Sequence, residues 1–483
     1  MIRYKKYLAS IFTFAVILLI PSCAVNPVTG KKQLMFMTEE QEIALGAQYD
    51  PSVVATFGIY DNPQLMNFIS EKGTEMGKIS HRPNLEYHFR ILDSPVINAF
   101  AVPGGYIYLT RGILAQFNNE AELMGVLGHE MGHITARHSA QQQTNQQIGQ
   151  ILLAGGMIAS KEIYELAEIA MQGMQLLFLS FSRENEREAD RLGVEYSSKI
   201  GYDSHKMADF FNVLNKMQMG SSHAGVPTFL STHPDPGDRY NSVNQTSDEW
   251  QTKLNLDSYA VNSDNYLKMI DGIVYGEDPR QGFTENNVFY HPDMKFRYPF
   301  PKGWELVNSP LQIQITPPDK DAVIVFSLSK EKTLEEASQK ALNELKLSVL
   351  KSRQTEVNGY KALAAISQQL SDNQQGIKLL SYFIEKDGMI YNFHGVSSEA
   401  DFDKYQPVFE STMTGFSKLT ESSKLNVKPH RISIKTVQRT GTLTDVFKYY
   451  KVPGNQMDEL ALLNNLELTD QVNKGKLIKI IGD

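Results

Sequence analysis

His129-Glu130-Met131-Gly132-His133 is the stretch on which the reading of this chain turns. It has the form H-E-x-x-H. On a helix, residues four apart lie one above the other on the same face. His129 and His133 can therefore offer two imidazole nitrogens to one metal ion, with Glu130 beside them and near any water on that metal. Two histidines and a carboxylate, with one position left to water, form the ligand set of a hydrolytic zinc site. The run Ala121 to Leu127 leads straight into the motif and is rich in apolar residues. The helix is therefore expected to be buried, and a buried His, Glu, His cluster without a shared partner is costly. One Zn2+ per chain is expected.

The chain around the motif has 483 residues, too many for one ordinary core, so several domains are expected. A hydrophobic content of 41% and a charged content of 21% are those of a globular protein. A net charge of -8 argues against nucleic acid as a partner. Arg3, Lys5 and Lys6 precede an apolar run from Leu8 to Ile20, which suits the core of a signal peptide better than a membrane span. The run ends at Ile20-Pro21-Ser22-Cys23, and Cys23 is the only cysteine. This resembles a bacterial lipobox, in which cleavage leaves a lipid-modified Cys at the N-terminus. Ala24 follows it, as in outer-membrane lipoproteins.

Residues 1–22 read as signal peptide, 23–37 as a tether, 38–280 as the domain holding the motif, 285–420 as an α+β domain, and 430–483 as a small terminal unit. Helices are expected over Thr38 onward, Asn62 to Ile79, Asn119 to His138, Thr144 to Leu179, Glu184 to Ile200 and Ser204 to Met219. Ile97 to Val102 and Tyr106 to Thr110 read as strands joined at Pro103-Gly104-Gly105. In the second domain, Thr333 to Ser352 reads as an amphipathic helix among strands. The fold class is α+β multidomain, with a mainly helical zincin-type domain carrying a small edge sheet.

Zinc needs a third protein ligand. The best candidate lies in Ser182-Arg183-Glu184-Asn185-Glu186-Arg187-Glu188-Ala189-Asp190. Glu186 and Asp190 share a helical face. Glu186 can ligate zinc, and Asp190 can accept from the far nitrogen of a ligand histidine. On its own, such a run is more often a solvated helix face.

HEMGH followed by the E-x-x-A-D of Glu186 to Asp190 resembles the gluzincin family of the CAAX prenyl endoproteases, HtpX heat-shock proteases and periplasmic BepA-type proteases. The segment Asn98 to Gly105 also fits that family, as does Cys23 to Gly30, the start of its lipoprotein branch, so the resemblance covers roughly residues 23–245. It implies that His129, His133 and Glu186 bind zinc, that Glu130 is the general base, and that Asp190 acts behind a ligand. A substrate strand is expected along Asn98, Ala99, Phe100 and Ala101. His233, in Ser231 to Arg239, is a loop histidine before Pro234. The resemblance implies a fourth, regulatory ligation of zinc by His233 that holds the enzyme latent. For Arg239 three roles stay open: pairing with site carboxylates, steadying an oxyanion, or a surface salt bridge. His81, His88 and His138 read as structural.

Met294 to Trp304 resembles the opening of the PsbP-like fold, which implies protein binding. Gly441-Thr442-Leu443, Leu460 to Asn464 and Lys474 to Leu477 resemble a βααβ LysM module, which implies peptidoglycan as a partner. Thr440-Gly441 stands where a Gly-Asp turn is usual, so an inert packing module is the rival reading. Together these features imply a metalloendopeptidase anchored by lipid in the outer membrane's inner leaflet and facing the periplasm. Its substrates would be misfolded or stalled envelope proteins, with outer-membrane assembly machinery as a further partner. The rival is a non-proteolytic envelope chaperone or adaptor built on the same fold.

Overall fold

The computed structural model describes residues 23–144, 180–220, 228–234, 237–369 and 376–482. The expected signal peptide and nearly all of the expected helix from Thr144 to Leu179 lie outside the described residues. Among the described residues, no helix is long and apolar enough to cross a membrane.

A short hairpin opens the chain, β1 (Cys23–Val25) pairing with β2 (Lys32–Leu34). Helix α1 (Glu39–Phe57) follows, started by a capping box between Thr38 and Gln41. Helix α2 (Pro63–Ile79) is capped by Asn62. Three strands come next: β3 (His88–Leu92), β4 (Ala99–Val102) and β5 (Tyr106–Thr110). They form a sheet in the order β3-β5-β4, with β4 antiparallel to β5 at the edge. Helix α3 (Arg111–Gln116) then leads into α4 (Glu120–Thr135), which carries the motif.

Helix α4 is buried on every face. A helix of that kind belongs to the middle of a domain, not its surface. Asn119 caps it by accepting from the Glu122 amide. The expected helix through His138 is broken: α4 ends at Thr135, and Arg137 adopts a left-handed φ of 60°. Side-chain bonds hold that turn in place of helix bonds. Arg137 Nε donates to the buried Glu42 at 2.9 Å, and Nη2 donates to the Met37 carbonyl. Helical conformation resumes at residue 138.

Around α4 pack α5 (Arg183–Lys199), α6 (His205–Gly220), α7 (Thr228–Thr232), α8 (Arg239–Leu254) and α9 (Ser263–Met269). The tightest crossing is α4 on α5. A Cβ at Gly193 would lie 2.9 Å from the His129 amide nitrogen, and one at Gly128 would lie 2.9 Å from the Gly193 carbonyl. Only glycine at both positions lets the two backbones come so close.

The second region is built on a seven-stranded antiparallel sheet and a four-stranded sheet. Aromatic side chains fill the space between them, among them Phe296, Tyr298, Phe326, Tyr391 and Phe393. The expected helix Thr333 to Ser352 is half right. The helix runs only over Leu334–Glu344, and Ser348–Val357 is an edge strand paired along Tyr360–Gln369. Pairing with a ten-residue neighbour overrides helical propensity there, and Lys346, in left-handed backbone at φ 52°, makes the turn.

The terminal unit has the order strand, helix, helix, strand: Arg431–Thr436, Leu443–Tyr449, Met457–Leu463 and Leu477–Gly482. It is not a free bead. Its Ile432, Leu443, Phe447 and Ile478 belong to the same apolar core as α4 and α9. Backbone bonds join Ile432 and His430 to residues 272–275. Lys479 is fully buried and donates to the carbonyls of Ala115, Gln116 and Phe117 at 2.9–3.0 Å.

Candidate metal centre

Two helices and a short turn supply the cluster. Helix α4 presents His129 and His133 one turn apart, and α5 presents Glu186 in its first turn. His233 follows directly on α7. All four side chains are buried, and each has a ligand-type atom within 4.8 Å of the others.

The spacings are informative. A tetrahedron with bonds of about 2.0–2.1 Å has edges of about 3.4 Å. The Nε2 atoms of His129 and His133 are 3.1 Å apart. Each lies 3.5 Å from an oxygen of Glu186. His233 Nδ1 is 3.2 Å from His129 Nε2 and 3.2 Å from Glu186 Oε1. Donor atoms held at these separations, with no room for a side chain between them, fit a small divalent cation.

Protonation at His133 and Glu186 agrees with that fit. Burial, reinforced by the neighbouring histidines, holds His133 well below its ordinary pKa, so its ring is neutral. Burial pushes Glu186 up, but His233, His129 and Arg239 more than reverse this, and it stays a carboxylate. His233 behaves in the opposite sense: burial lowers it, and the charges of Glu186 and Glu130 raise it overall.

Glu130 sits beside the cluster with its carboxylate fully enclosed, and neither oxygen accepts a hydrogen bond from the described residues. Burial raises its pKa above the usual carboxylate range. A buried carboxylate beside the cluster, 3.6 Å from the His233 ring, is placed to receive a proton from water. On the far side of His129, Nδ1 is 2.8 Å from Asp190 Oδ1. Arg239 Nη2 is 2.7 Å from the same oxygen and 3.3 Å from Glu186, with its guanidinium stacked 3.8 Å from the centre of the Phe211 ring. Of the three roles left open for Arg239, the observed geometry is pairing with site carboxylates.

The expected substrate strand is more enclosed than the sequence suggests. Ala99, Phe100 and Ala101 are all buried. The α7 segment bonds along the start of β4. The Phe229 amide donates to Ile97, Thr232 Oγ1 donates to Asn98 Oδ1, and His233 Nε2 lies 3.3 Å from the Ala99 carbonyl. Phe100 stacks on Tyr108, and Cys23 lies in the leading hairpin.

One residue classed as structural touches the cluster directly. His138 Nδ1 is 2.9 Å from His133 Nδ1, and its Nε2 is 3.2 Å from Glu188. The sequence signal for this contact is the alternation Glu186, Glu188, Asp190, which is more acidic than a lone ligand and its partner require.

Residues 63–247 match the family described as Peptidase family M48. The chain is 28% identical over 242 residues to a beta-barrel assembly-enhancing protease of Yersinia pestis, covering 48% of this chain and 49% of that protein. It is 29% identical over 209 residues to the Escherichia coli K12 protein of the same name, covering 41% and 42%. Against the mitochondrial metalloendopeptidase OMA1 of Arabidopsis thaliana it is 33% identical over 158 residues, covering 32% and 30%. The chain thus spans about half or less of the length of these relatives. Among solved structures, the cyanobacterial PsbP of Synechocystis covers 27% of this chain and 91% of its own, at 14% identity and a TM-score of 0.24.

Proposed function

We propose, from the match of residues 63–247 to peptidase family M48, that this chain is a zinc-dependent metalloendopeptidase. The observation that carries the reading is the buried cluster of His129, His133, Glu186 and His233 with donor spacings of 3.1–3.5 Å. His129, His133 and Glu186 would hold the ion. When bound, Zn2+ supplies Lewis-acid chemistry and brings the pKa of water to about 7. Glu130 takes the proton of the attacking water and returns it to the leaving amine nitrogen. Asp190 holds the His129 proton on Nδ1, which keeps the Nε2 lone pair for the ion. Arg239 holds Asp190 and Glu186 in place.

His233 makes the resting state latent in this reading. It takes the fourth donor position, and it also engages the Ala99 carbonyl that a substrate strand would use. Activation then requires one movement, withdrawal of the His233 turn, which frees both.

The physiological setting is a proposal from the sequence and from the names of the relatives. Cys23 would be lipidated, anchoring the chain at the inner leaflet of the outer membrane with its domains in the periplasm. The substrates would be misfolded or stalled envelope proteins, and outer-membrane assembly machinery a partner. The α+β region would bind proteins in the PsbP-like manner, and the βααβ terminal unit would be LysM-like, with peptidoglycan as its candidate ligand.

The test is zinc content by elemental analysis together with cleavage of unfolded casein by the full chain. Near-stoichiometric zinc with endoproteolysis, abolished by a chelator and restored by Zn2+, is expected. A metal-free chain that binds casein without cutting it would favour the chaperone reading.

A further inference from the structure

The two histidines of the cluster are backed differently. His129 meets a carboxylate directly, through Asp190. His133 does not. Its Nε2 faces the cluster, and its Nδ1 faces the Nδ1 of His138 at 2.9 Å. Beyond that ring, His138 Nε2 meets Glu188 Oε2 at 3.2 Å, and Glu188 Oε1 accepts from Arg191 at 3.3 Å. His138 is buried, while Arg191 reaches solvent.

Two ring nitrogens 2.9 Å apart in a buried site need one donor and one acceptor. With His133 Nε2 turned to the ion and free of a proton, a single arrangement satisfies every contact. His133 Nδ1–H donates to His138 Nδ1, and His138 Nε2–H donates to Glu188. The carboxylate end fixes it, since an ionised carboxylate can only accept. Glu188 also accepts from Arg191 through its other oxygen, so it stands in this chain as the acceptor. The fold places the second ring on purpose-built geometry. The left-handed turn at Arg137 folds the chain back so that residue 138 lies against the helix it has just left, and Phe181 stacks on the other side of His133 at 4.1 Å.

We propose that His138 and Glu188 are positioning residues for the metal centre, an imidazole–carboxylate relay that sets the tautomer and orientation of His133. One helix, α5, then serves both histidine ligands, with Asp190 acting on His129 directly and Glu188 acting on His133 through His138. The relay rests on the metal-centre reading above. It adds that affinity for the ion depends on two residues that do not touch it.

The experiment is zinc affinity of the full chain by competition with a chromophoric chelator, for wild type, His138→Phe, His138→Asn and Glu188→Ala. Removing a partner behind a ligand histidine weakens binding about 10- to 100-fold. His138→Phe keeps a ring but no acceptor and is expected to fall in that range. Glu188→Ala is expected to weaken binding about tenfold. His138→Asn, whose Oδ1 can accept from His133 Nδ1–H, should recover most of the affinity. A packing role predicts the reverse order, with Phe tolerated and Asn not, and that order would overturn the relay. Should His138→Phe fail to fold, the partly exposed Glu188→Ala decides, and unchanged affinity there overturns the proposal. A wild type that takes up no zinc would overturn the metal centre itself, whereas wild-type binding matched by all variants overturns the relay alone.

Discussion

At position 233 a single ring touches both the metal cluster and the strand edge, so its removal should unlock two things at once. His233→Ala is expected to raise the rate of casein cleavage about tenfold or more; equal rates would remove latency from the account. Elsewhere at this scale, buried histidines set the pH response. His394, in Met389–Ser398, is held by burial at about 4, against an ordinary value of 6.5. Between those values the unfolded chain binds a proton that the folded chain refuses, so stability rises with pH across that window and is lost as pH falls from 6.5 toward 4. The loss from this group is on the order of 3 kcal/mol. Urea midpoints at pH 7 and pH 5 check it. The His394→Gln variant should lose less between them than wild type; an equal loss would place the acid sensitivity elsewhere. His129, Glu130 and His133 were legible from the helical spacing of H-E-x-x-H, whereas Glu186, Asp190 and His233 were singled out only with the family resemblance. His138 was not, because its place depends on an unforeseen turn at Arg137.

Among elements, the crossing of α4 and α5 decides whether Glu186 reaches His129 at all. Their approach rests on Gly128 and Gly193, with backbone on the opposing side in both cases. Gly193→Val must force the helices apart. The expected cost is about 1–3 kcal/mol of stability, with a parallel loss of zinc affinity. Chemical unfolding and chelator competition measure the two. Gly454→Ala, where an added Cβ meets nothing within 4 Å, is the control and should change neither. Wild-type affinity in Gly193→Val would mean that the crossing does not set the cluster. Element type was readable for the helices expected over Asn62 to Ile79 and Glu184 to Ile200, which run over Pro63–Ile79 and Arg183–Lys199. It failed where a partner distant in sequence decided the outcome. The expected helix took in Ser348 to Ser352, which pair instead as the start of a strand, and α4 ends early because Glu42, far upstream, holds Arg137.

Over the whole molecule, the terminal unit is bound into the core of the first domain. Lys479 offers three protons to three carbonyls around the end of α3, and Glu122 at the start of α4 is its buried counter-charge. Burial pulls Lys479 well down and pushes Glu122 up. Lys479→Met keeps the volume but removes the ammonium donor from three buried carbonyls and the opposite charge from Glu122, which keeps its hydrogen bonds from Asn118 and Asn119. It is expected to cost about 3 kcal/mol in the unfolding of the full chain. A change below about 0.5 kcal/mol would mean that the unit merely rests on the surface. Nothing in the terminal sequence taken alone announced this contact, since one lysine in a strand reads as exposed until its neighbour is known.

The central claim is that Glu130 works as a base beside a bound metal ion, and it is tested most directly by Glu130→Gln. The substitution keeps size and burial and leaves His129, His133 and Glu186 intact. The measurement is the rate of casein cleavage by wild-type and Glu130→Gln chains, each with its zinc content determined. The account predicts equal zinc and a fall in rate of about 10²–10⁴-fold or more. Cleavage at the wild-type rate with zinc in place would contradict it.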